Sequence, residues 1–220
     1  HELHGLFRQY LDTLREDAAW LLSQFRLVDF VLRVVGVGSV GTRCYVLAFE
    51  GPCGEVLFLQ AKEAQASVLT SHGGMPAVIP GAPANAPFNE GHRVVAGQRV
   101  LQAQSDPFIG HIVGWAGEHG DRPRVDYYWR QFRDMKGSIE LSLLDGGQFA
   151  AYGELCGRLL ARAHSQSPGA AAVAGYLGSA PAFDAAVSAW AADYADICEA
   201  DYAALMAAIK SGRLPAETEG

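Results

Sequence analysis

The segment from Gly36 to Gly41 has residue types that can surround a phosphate group. Its sequence, Gly36-Val37-Gly38-Ser39-Val40-Gly41, follows the pattern Gly-x-Gly-x-x-Gly. Glycines let the backbone come close to a phosphate, so that backbone N–H groups can donate hydrogen bonds to its oxygens. The hydroxyl group of Ser39 adds a further donor. The pattern alone fits two unrelated phosphate-binding designs, and the residues that follow it distinguish them.

The residues after Gly41 favour a β-hairpin. In a dinucleotide-binding domain the third glycine opens a helix. Residues 42–49 are instead rich in β-branched and aromatic types, and a glycine-rich turn at 51–54 separates them from a second strand-like run at 56–63. With a strand before the glycine-rich segment, the order is strand, glycine turn, strand, turn, strand, and Lys62 lies at the end of the third strand. This is the layout of a kinase-type nucleotide-binding lobe.

We therefore predict that Gly36, Gly38, Ser39 and Gly41 cover the phosphates of a nucleotide and that Lys62 binds them. Two alternatives remain open. The segment could be an ordinary hairpin with a surface lysine. It could also belong to a dinucleotide-dependent oxidoreductase, which a helix directly after Gly41 would support.

The orientation of Lys62 follows from strand periodicity. Side chains alternate along a strand, so Lys62 shares a face with Gln60 and Phe58 and projects beneath the glycine-rich segment. In kinases a helix glutamate pairs with this lysine. Glu90 is the candidate, because it opens a helix that we predict from Asn89, its N-cap, to residue 104. The alternative role of Glu90 is that of an acid stabilised by the helix dipole.

Arg130 and Gln131 lie at the end of the last predicted strand, where the chain leaves the sheet. Their functional interpretation is contact with the nucleotide or the substrate. The alternative is a solvated charged connector.

Composition narrows the class of protein. The 220 residues, half of them hydrophobic, suffice for one large domain or two small lobes with a core. No apolar run approaches the ~20 residues of a membrane span. The net charge of −7 and the lack of a Lys/Arg cluster argue against nucleic acid as a partner. The four cysteines lack metal-ligand spacing, so we expect no metal ligands among them and a cytoplasmic location.

Three regions follow from these patterns: an N-terminal helix at 1–26, a sheet-rich nucleotide-binding lobe at 27–134 and a helical lobe at 135–220. The predicted fold class is α+β and protein-kinase-like, with an antiparallel sheet lobe that carries the glycine-rich hairpin and packs on the helical lobe. Within these regions we predict a first helix that reaches residue 25 and a last helix at 181–210.

Several blocks resemble a bacterial family called domain of unknown function 2252. They are residues 34–44, 59–64, 97–99, 130–138 and 155–164. The resemblance covers nearly the whole chain. It implies a kinase-like or aminoglycoside-phosphotransferase-like fold, apparently permuted, with ATP and Mg²⁺ as cofactors and a phosphate acceptor of unknown identity.

The catalytic residues of such an enzyme are missing from this sequence. Kinases use an aspartate and, five residues later, a metal-binding asparagine. The chain has two asparagines, Asn85 and Asn89, and the residues five before them are Pro80 and Ala84. Members of the resembled family carry Gly-Asp-x-His-x-x-Asn-Phe and Asp-Phe-Asp blocks upstream of the glycine segment. The resemblance thus places the catalytic residues upstream of this chain.

Two functional hypotheses result. The first is the nucleotide-binding portion of a kinase-like phosphotransferase that is not catalytically complete in this chain. The second is a non-catalytic nucleotide-binding or interaction module, similar to a pseudokinase.

Overall fold

The computed structural model describes residues 2–34, 41–83, 85–115, 123–133 and 137–216. Its strands are β1 (Arg26–Leu32), β2 (Cys44–Glu50), β3 (Val56–Ala64), β4 (Gly110–Trp115) and β5 (Arg124–Gln131). Its helices are α1 (Glu2–Leu11), α2 (Glu16–Leu22), α3 (Val68–Ser71), α4 (Glu90–Leu101), α5 (Gly146–Ser165), α6 (Ala170–Leu177) and α7 (Ala182–Lys210). The antiparallel sheet combined with helices confirms the α+β part of the predicted fold class.

The five strands form one antiparallel sheet in the order β1-β2-β3-β5-β4. The two successive hairpins that the sequence predicts, β1–β2 and β2–β3, are both present. In the second hairpin the turn uses Gly54, whose φ of +83° favours glycine. The chain passes from β3 through α4 to β4 at the edge of the sheet. The last strand, β5, lies between β3 and β4 and pairs with both.

One face of the sheet is closed by apolar packing against the N-terminal helices. Its core is formed by Tyr10, Leu22, Leu47, Phe49, Leu59, Ala61, Ile112, Tyr127 and Trp129. Large aliphatic and aromatic side chains of this kind contribute about 1.5–3 kcal/mol each when fully buried. This face therefore supplies most of the apolar stabilisation of the sheet.

The predicted single helix up to residue 25 is wrong, because the chain turns between α1 and α2. The hydroxyl group of Thr13 donates to the carbonyl oxygen of Tyr10 at 2.7 Å and accepts from the backbone N–H of His111 at 3.0 Å. A side chain that bonds to its own backbone competes with helical hydrogen bonds. The break lets the N-terminal region follow the edge of the sheet at β4.

The helix α4 packs on the opposite face and begins where the sequence predicts. The side chain of Asn89 caps it by accepting a hydrogen bond from the N–H of His92 at 2.7 Å. The predicted end at residue 104 is wrong. The helix ends at Leu101, because Gln102 has an extended backbone with ψ of 143°.

The chain divides into two compact units, at Gln166 and Ser167. The first contains the sheet and continues through α5, whose first turn carries a capping box between Asp145 and Gln148. The second contains α6 and α7, and α7 ends before Gly212, whose φ is +72°. The predicted lobe boundary at 134/135 stays a prediction. Within the described ranges, no helix combines the length and apolar character needed to cross a membrane.

Two glycines of α4 provide a matched test of its packing. A Cβ at Gly91 would overlap the carbonyl oxygen of Tyr127, whereas a Cβ at Gly97 would meet nothing within 4 Å. We expect Gly91→Ala to lower the free energy of unfolding by about 1–3 kcal/mol. Gly97→Ala should raise it by about 0.5–1 kcal/mol, because alanine favours a helix interior. Urea unfolding of both variants measures the difference, and equal stabilities would contradict this packing.

Candidate functional site

Lys62 lies on the face of the sheet that α4 covers in part, called here the α4 face. Its strand neighbours Leu59 and Ala61 belong to the apolar core on the other side. Because side chains alternate along a strand, Lys62 projects from the α4 face, where its register partners are Cys44 on β2 and Tyr128 on β5. The three side chains thus form a row across the middle of the sheet.

Gln60 lies on the same face, one pleat from Lys62. Its side chain is buried, and its amide Nε2 donates to Cys44 Sγ at 3.2 Å. The predicted grouping of Gln60 with Lys62 is therefore correct, and the amide is held in place by its neighbour on β2.

The predicted pairing of Lys62 with Glu90 is not formed. The Glu90 carboxylate contacts Arg93 instead, at 2.5 Å from Nε, and Arg93 also donates to the carbonyl oxygen of Gln65 at 2.9 Å. The two residues are three apart on α4, which is a favourable spacing for a helical ion pair. Glu90 thus has the alternative role, that of an acid in the first turn of the helix.

Lys62 itself is half-buried, and within the described ranges no hydrogen bond or ion pair reaches its ammonium group. Its neighbour Glu63 points to the opposite face and pairs with Arg43 at 2.8 Å. Glu63 and Glu90 are therefore each already paired with an arginine.

The glycine-rich segment can be followed only in part. Gly36, Gly38 and Ser39 lie outside the described residues, so their predicted roles stay predictions. Gly41 precedes β2 in a turn with a φ of +83°. The segment enters β2 at Cys44, which lies opposite Lys62. A strand, and not a helix, follows Gly41, which argues against the dinucleotide-binding alternative.

The two residues predicted at the exit from the sheet differ in position. Arg130 lies on the α4 face opposite Gln60 and is partly buried. Gln131 alternates to the other face, and its backbone N–H donates to Asp106 Oδ2 at 2.9 Å. The structure therefore places Arg130, but not the side chain of Gln131, on the side of Lys62.

Asp106 is the residue that sequence analysis missed here. Its Oδ1 accepts from the N–H of Phe108 at 2.9 Å, while Oδ2 accepts from Gln131. The signal was the dipeptide Asp106-Pro107, because aspartate before proline is typical of a turn whose side chain caps a nearby N–H. The long-range bond to β5 has no such local signature.

Burial favours the uncharged form of three titratable side chains on the α4 side of the sheet. The rings of His92 and His111 stack at 4.5 Å between centroids and 2° between planes. Burial, followed by the charges of His92 and Arg99, lowers the pKa of His111 to about 4. Burial also lowers the pKa of His92 and raises that of Tyr128.

The comparisons with known proteins identify the family. The model of the family described as "Uncharacterized protein conserved in bacteria (DUF2252)" matches residues 1–208. The chain belongs to DUF2252. No curated protein and no solved structure matches it. The family resemblance seen in the sequence is thereby confirmed, while the kinase-like relationship remains a proposal.

In this DUF2252 chain, the described residues contain no group of three His, Cys, Asp or Glu side chains that could hold a metal ion. The cysteines Cys44, Cys53, Cys156 and Cys198 are free thiols. On the α4 face, the side chains of Lys62 on β3 and Arg130 on β5 are both positively charged.

The stacked histidines predict that this DUF2252 chain is destabilised by acid. The pKa of His111 is lower in the folded state than its unfolded value of 6.5, so the unfolded chain binds the proton first as the pH falls. The contribution of neutral His111 to the free energy of unfolding should be fully present above pH ~7 and should decline between pH ~6.5 and ~4. The loss from His111 should be about 1–2 kcal/mol, because partial exposure screens the effect.

Urea unfolding between neutral pH and pH ~4.5 measures this loss. His111→Phe should flatten the pH dependence, because it keeps an aromatic ring on His92 and removes the titrating group. His164→Gln, at an exposed histidine, is the control. A pH profile of His111→Phe that matches the wild type would refute the assignment.

Proposed function

We propose that this chain is the nucleotide-binding portion of a kinase-like phosphotransferase, with ATP as the nucleotide and an acceptor that is not identified. The observation that carries the proposal is the setting of Lys62. Lys62 is half-buried on the α4 face and lies beside the strand that the glycine-rich segment enters, and its ammonium group has no acidic partner among the described residues.

The order of the parts supports this proposal. In kinases a glycine-rich loop covers the phosphates, a lysine on the third strand binds them, and a helix follows that strand. Here the glycine-rich segment joins β1 to β2, Lys62 lies on β3, and α4 follows before β4. Because one fold can host many functions, the function follows from the chemistry of the site.

The charge of Lys62 favours an anionic ligand. An ammonium group that is partly removed from water gains from a phosphate oxygen, and such charge-assisted hydrogen bonds are stronger than neutral ones. Arg130 lies two residues beyond Tyr128 on β5, on the same face, and adds a second positive charge. The oxygens of a triphosphate would be shared between these cations and the backbone N–H groups of the glycine-rich segment.

The same face provides apolar surface for a base. Val31 pairs with Val46, which pairs with Gln60, so these side chains lie on the α4 face. Further along β3, Val56 and Phe58 are 58% and 42% exposed. An adenine ring packed against Phe58 would cover part of this apolar area, as aromatic contacts do in other ligand sites.

The chain supplies binding and orientation in this proposal, but no complete reaction. When bound, Mg²⁺ would neutralise phosphate charge. The described residues contain no group of three His, Cys, Asp or Glu side chains that could hold it, and the sequence contains no Asp-x-x-x-x-Asn. We place the metal-binding and catalytic residues in the upstream blocks that the family resemblance implies.

The second candidate is a non-catalytic nucleotide-binding or interaction module. The absence of Asp-x-x-x-x-Asn from the sequence favours it. It predicts the same binding to the α4 face, without phosphoryl transfer by the longer protein.

Thermal unfolding with and without Mg-ATP tests the proposal. A ligand at a hundred times its dissociation constant stabilises a protein by about 2.7 kcal/mol. For a chain of this size the midpoint should rise by roughly 5–10 °C. Lys62→Ala should remove most of this rise, because the ammonium group contacts the phosphates.

Lys210→Ala is the matched control, since Lys210 is an exposed lysine in the last turn of α7. It should keep the full rise. An equal rise in the wild type and in Lys62→Ala would reject the site. Binding with phosphoryl transfer by the longer protein would select the phosphotransferase, and binding without transfer would select the non-catalytic module.

A further inference from the structure

A second candidate site lies at the corner between α2 and the end of α4. A cavity of about 420 Å³ opens there, lined among others by Arg15, Arg99, Gln104 and Ser105. Its volume falls within the range of small-molecule sites. None of its lining residues belongs to the site around Lys62, so the inference does not depend on the proposed function.

Arg99 is held rigidly at the wall of this cavity. Its Nη2 donates to the carbonyl oxygens of Ile109 at 2.7 Å and Thr13 at 3.1 Å. These two bonds fix the plane of the guanidinium group. Its Nε and Nη1 also carry N–H donors, and they bond to no other described residue. A fixed guanidinium with unused donors is prepared for an oxyanion.

Two like charges meet at the cavity. Burial and the positive charge of Arg15 lower the pKa of Arg99, which means that the charged form of Arg99 is disfavoured there. Arg15 pairs with Asp17 at 3.1 Å, but both side chains of this pair are largely exposed. Solvent-exposed pairs of this kind are weak and leave Arg15 able to contact another anion.

The acidic residue in the lining is already satisfied. Asp106 uses both carboxylate oxygens to accept backbone N–H groups, from Phe108 and Gln131. Ser105 adds a hydroxyl donor and Gln104 an amide donor to the wall. The carboxylate of Asp106 is thus bound by the backbone, while Arg99, Ser105 and Gln104 have side-chain donors for a ligand in the cavity.

We propose that the cavity between Arg15 and Arg99 binds a phosphate-type oxyanion carried by a small molecule. The guanidinium of Arg99 donates to the oxyanion from its fixed position, and Arg15 closes over it from the solvent side. The cavity is larger than an inorganic phosphate ion, so the group that bears the oxyanion occupies the remaining space.

Side-chain NMR of the arginine Nε–H groups tests this site, with inorganic phosphate as the probe at constant ionic strength. The Nε–H signal of Arg99, identified by its loss in Arg99→Lys, should shift and saturate as phosphate is added. Arg15→Gln should weaken the binding about tenfold. Arg158→Gln is the matched control, because Arg158 forms an equally exposed ion pair with Glu154.

The same titration in other variants and with another anion distinguishes this cavity from the nucleotide site. Lys62→Ala should bind phosphate at this cavity like the wild type, which separates this site from the nucleotide site. Saturable binding of acetate in place of phosphate would overturn the phosphate-type assignment. An Arg99 signal that does not saturate, or that responds equally in Arg15→Gln and the wild type, would overturn the site itself.

Discussion

The carboxylate of Asp126 holds α4 on the sheet, and the geometry of the α4 face depends on it. Asp126 Oδ1 accepts from Asn89 Nδ2 at 2.8 Å, and Oδ2 accepts from the N–H of Glu90 at 2.7 Å. Both donors belong to the first residues of the helix, where the positive end of the helix dipole also favours an anion. Gly91 completes the contact, because the absence of a Cβ lets the backbone approach Tyr127. Lys62 lies opposite Tyr128, two residues along β5, so the same strand positions the helix and the lysine.

The two faces of the sheet have different roles because strand side chains alternate. Leu59 and Ala61 pack into the apolar core beneath α1, and this packing supplies stability that is not directional. Gln60 and Lys62 emerge on the other face, where polar groups are partly buried. Polar groups in such a setting interact more strongly than in water, and they cost stability unless they are paired. The closed apolar face thus permits the α4 face to carry a half-buried cation and two stacked neutral histidines.

The sequence predicts those parts of the fold that local patterns determine. The strands follow from alternation, and Asn89 is recognised as an N-cap by its type and position. The break after α1 could not be predicted, because Thr13 bonds to the N–H of His111, far away in sequence. The position of Gln131 depends in the same way on Asp106, through a bond between a turn and a strand. The face on which Lys62 lies could be predicted because strand alternation is a local pattern, whereas the pairing predicted for Glu90 failed because Arg93, three residues along the same helix, takes its carboxylate.

The charge balance around Lys62 explains why this lysine suits an anionic ligand. Glu90 is the one acid on α4, and its carboxylate contacts Arg93, three residues along the same helix. Asp126 is the acid on this face of β5, and it is used by the N-terminus of α4. Glu90 and Asp126 therefore both already serve the helix. A phosphate placed at Lys62 would displace no ion pair formed by the described residues, and its binding free energy would not be reduced by the cost of breaking one.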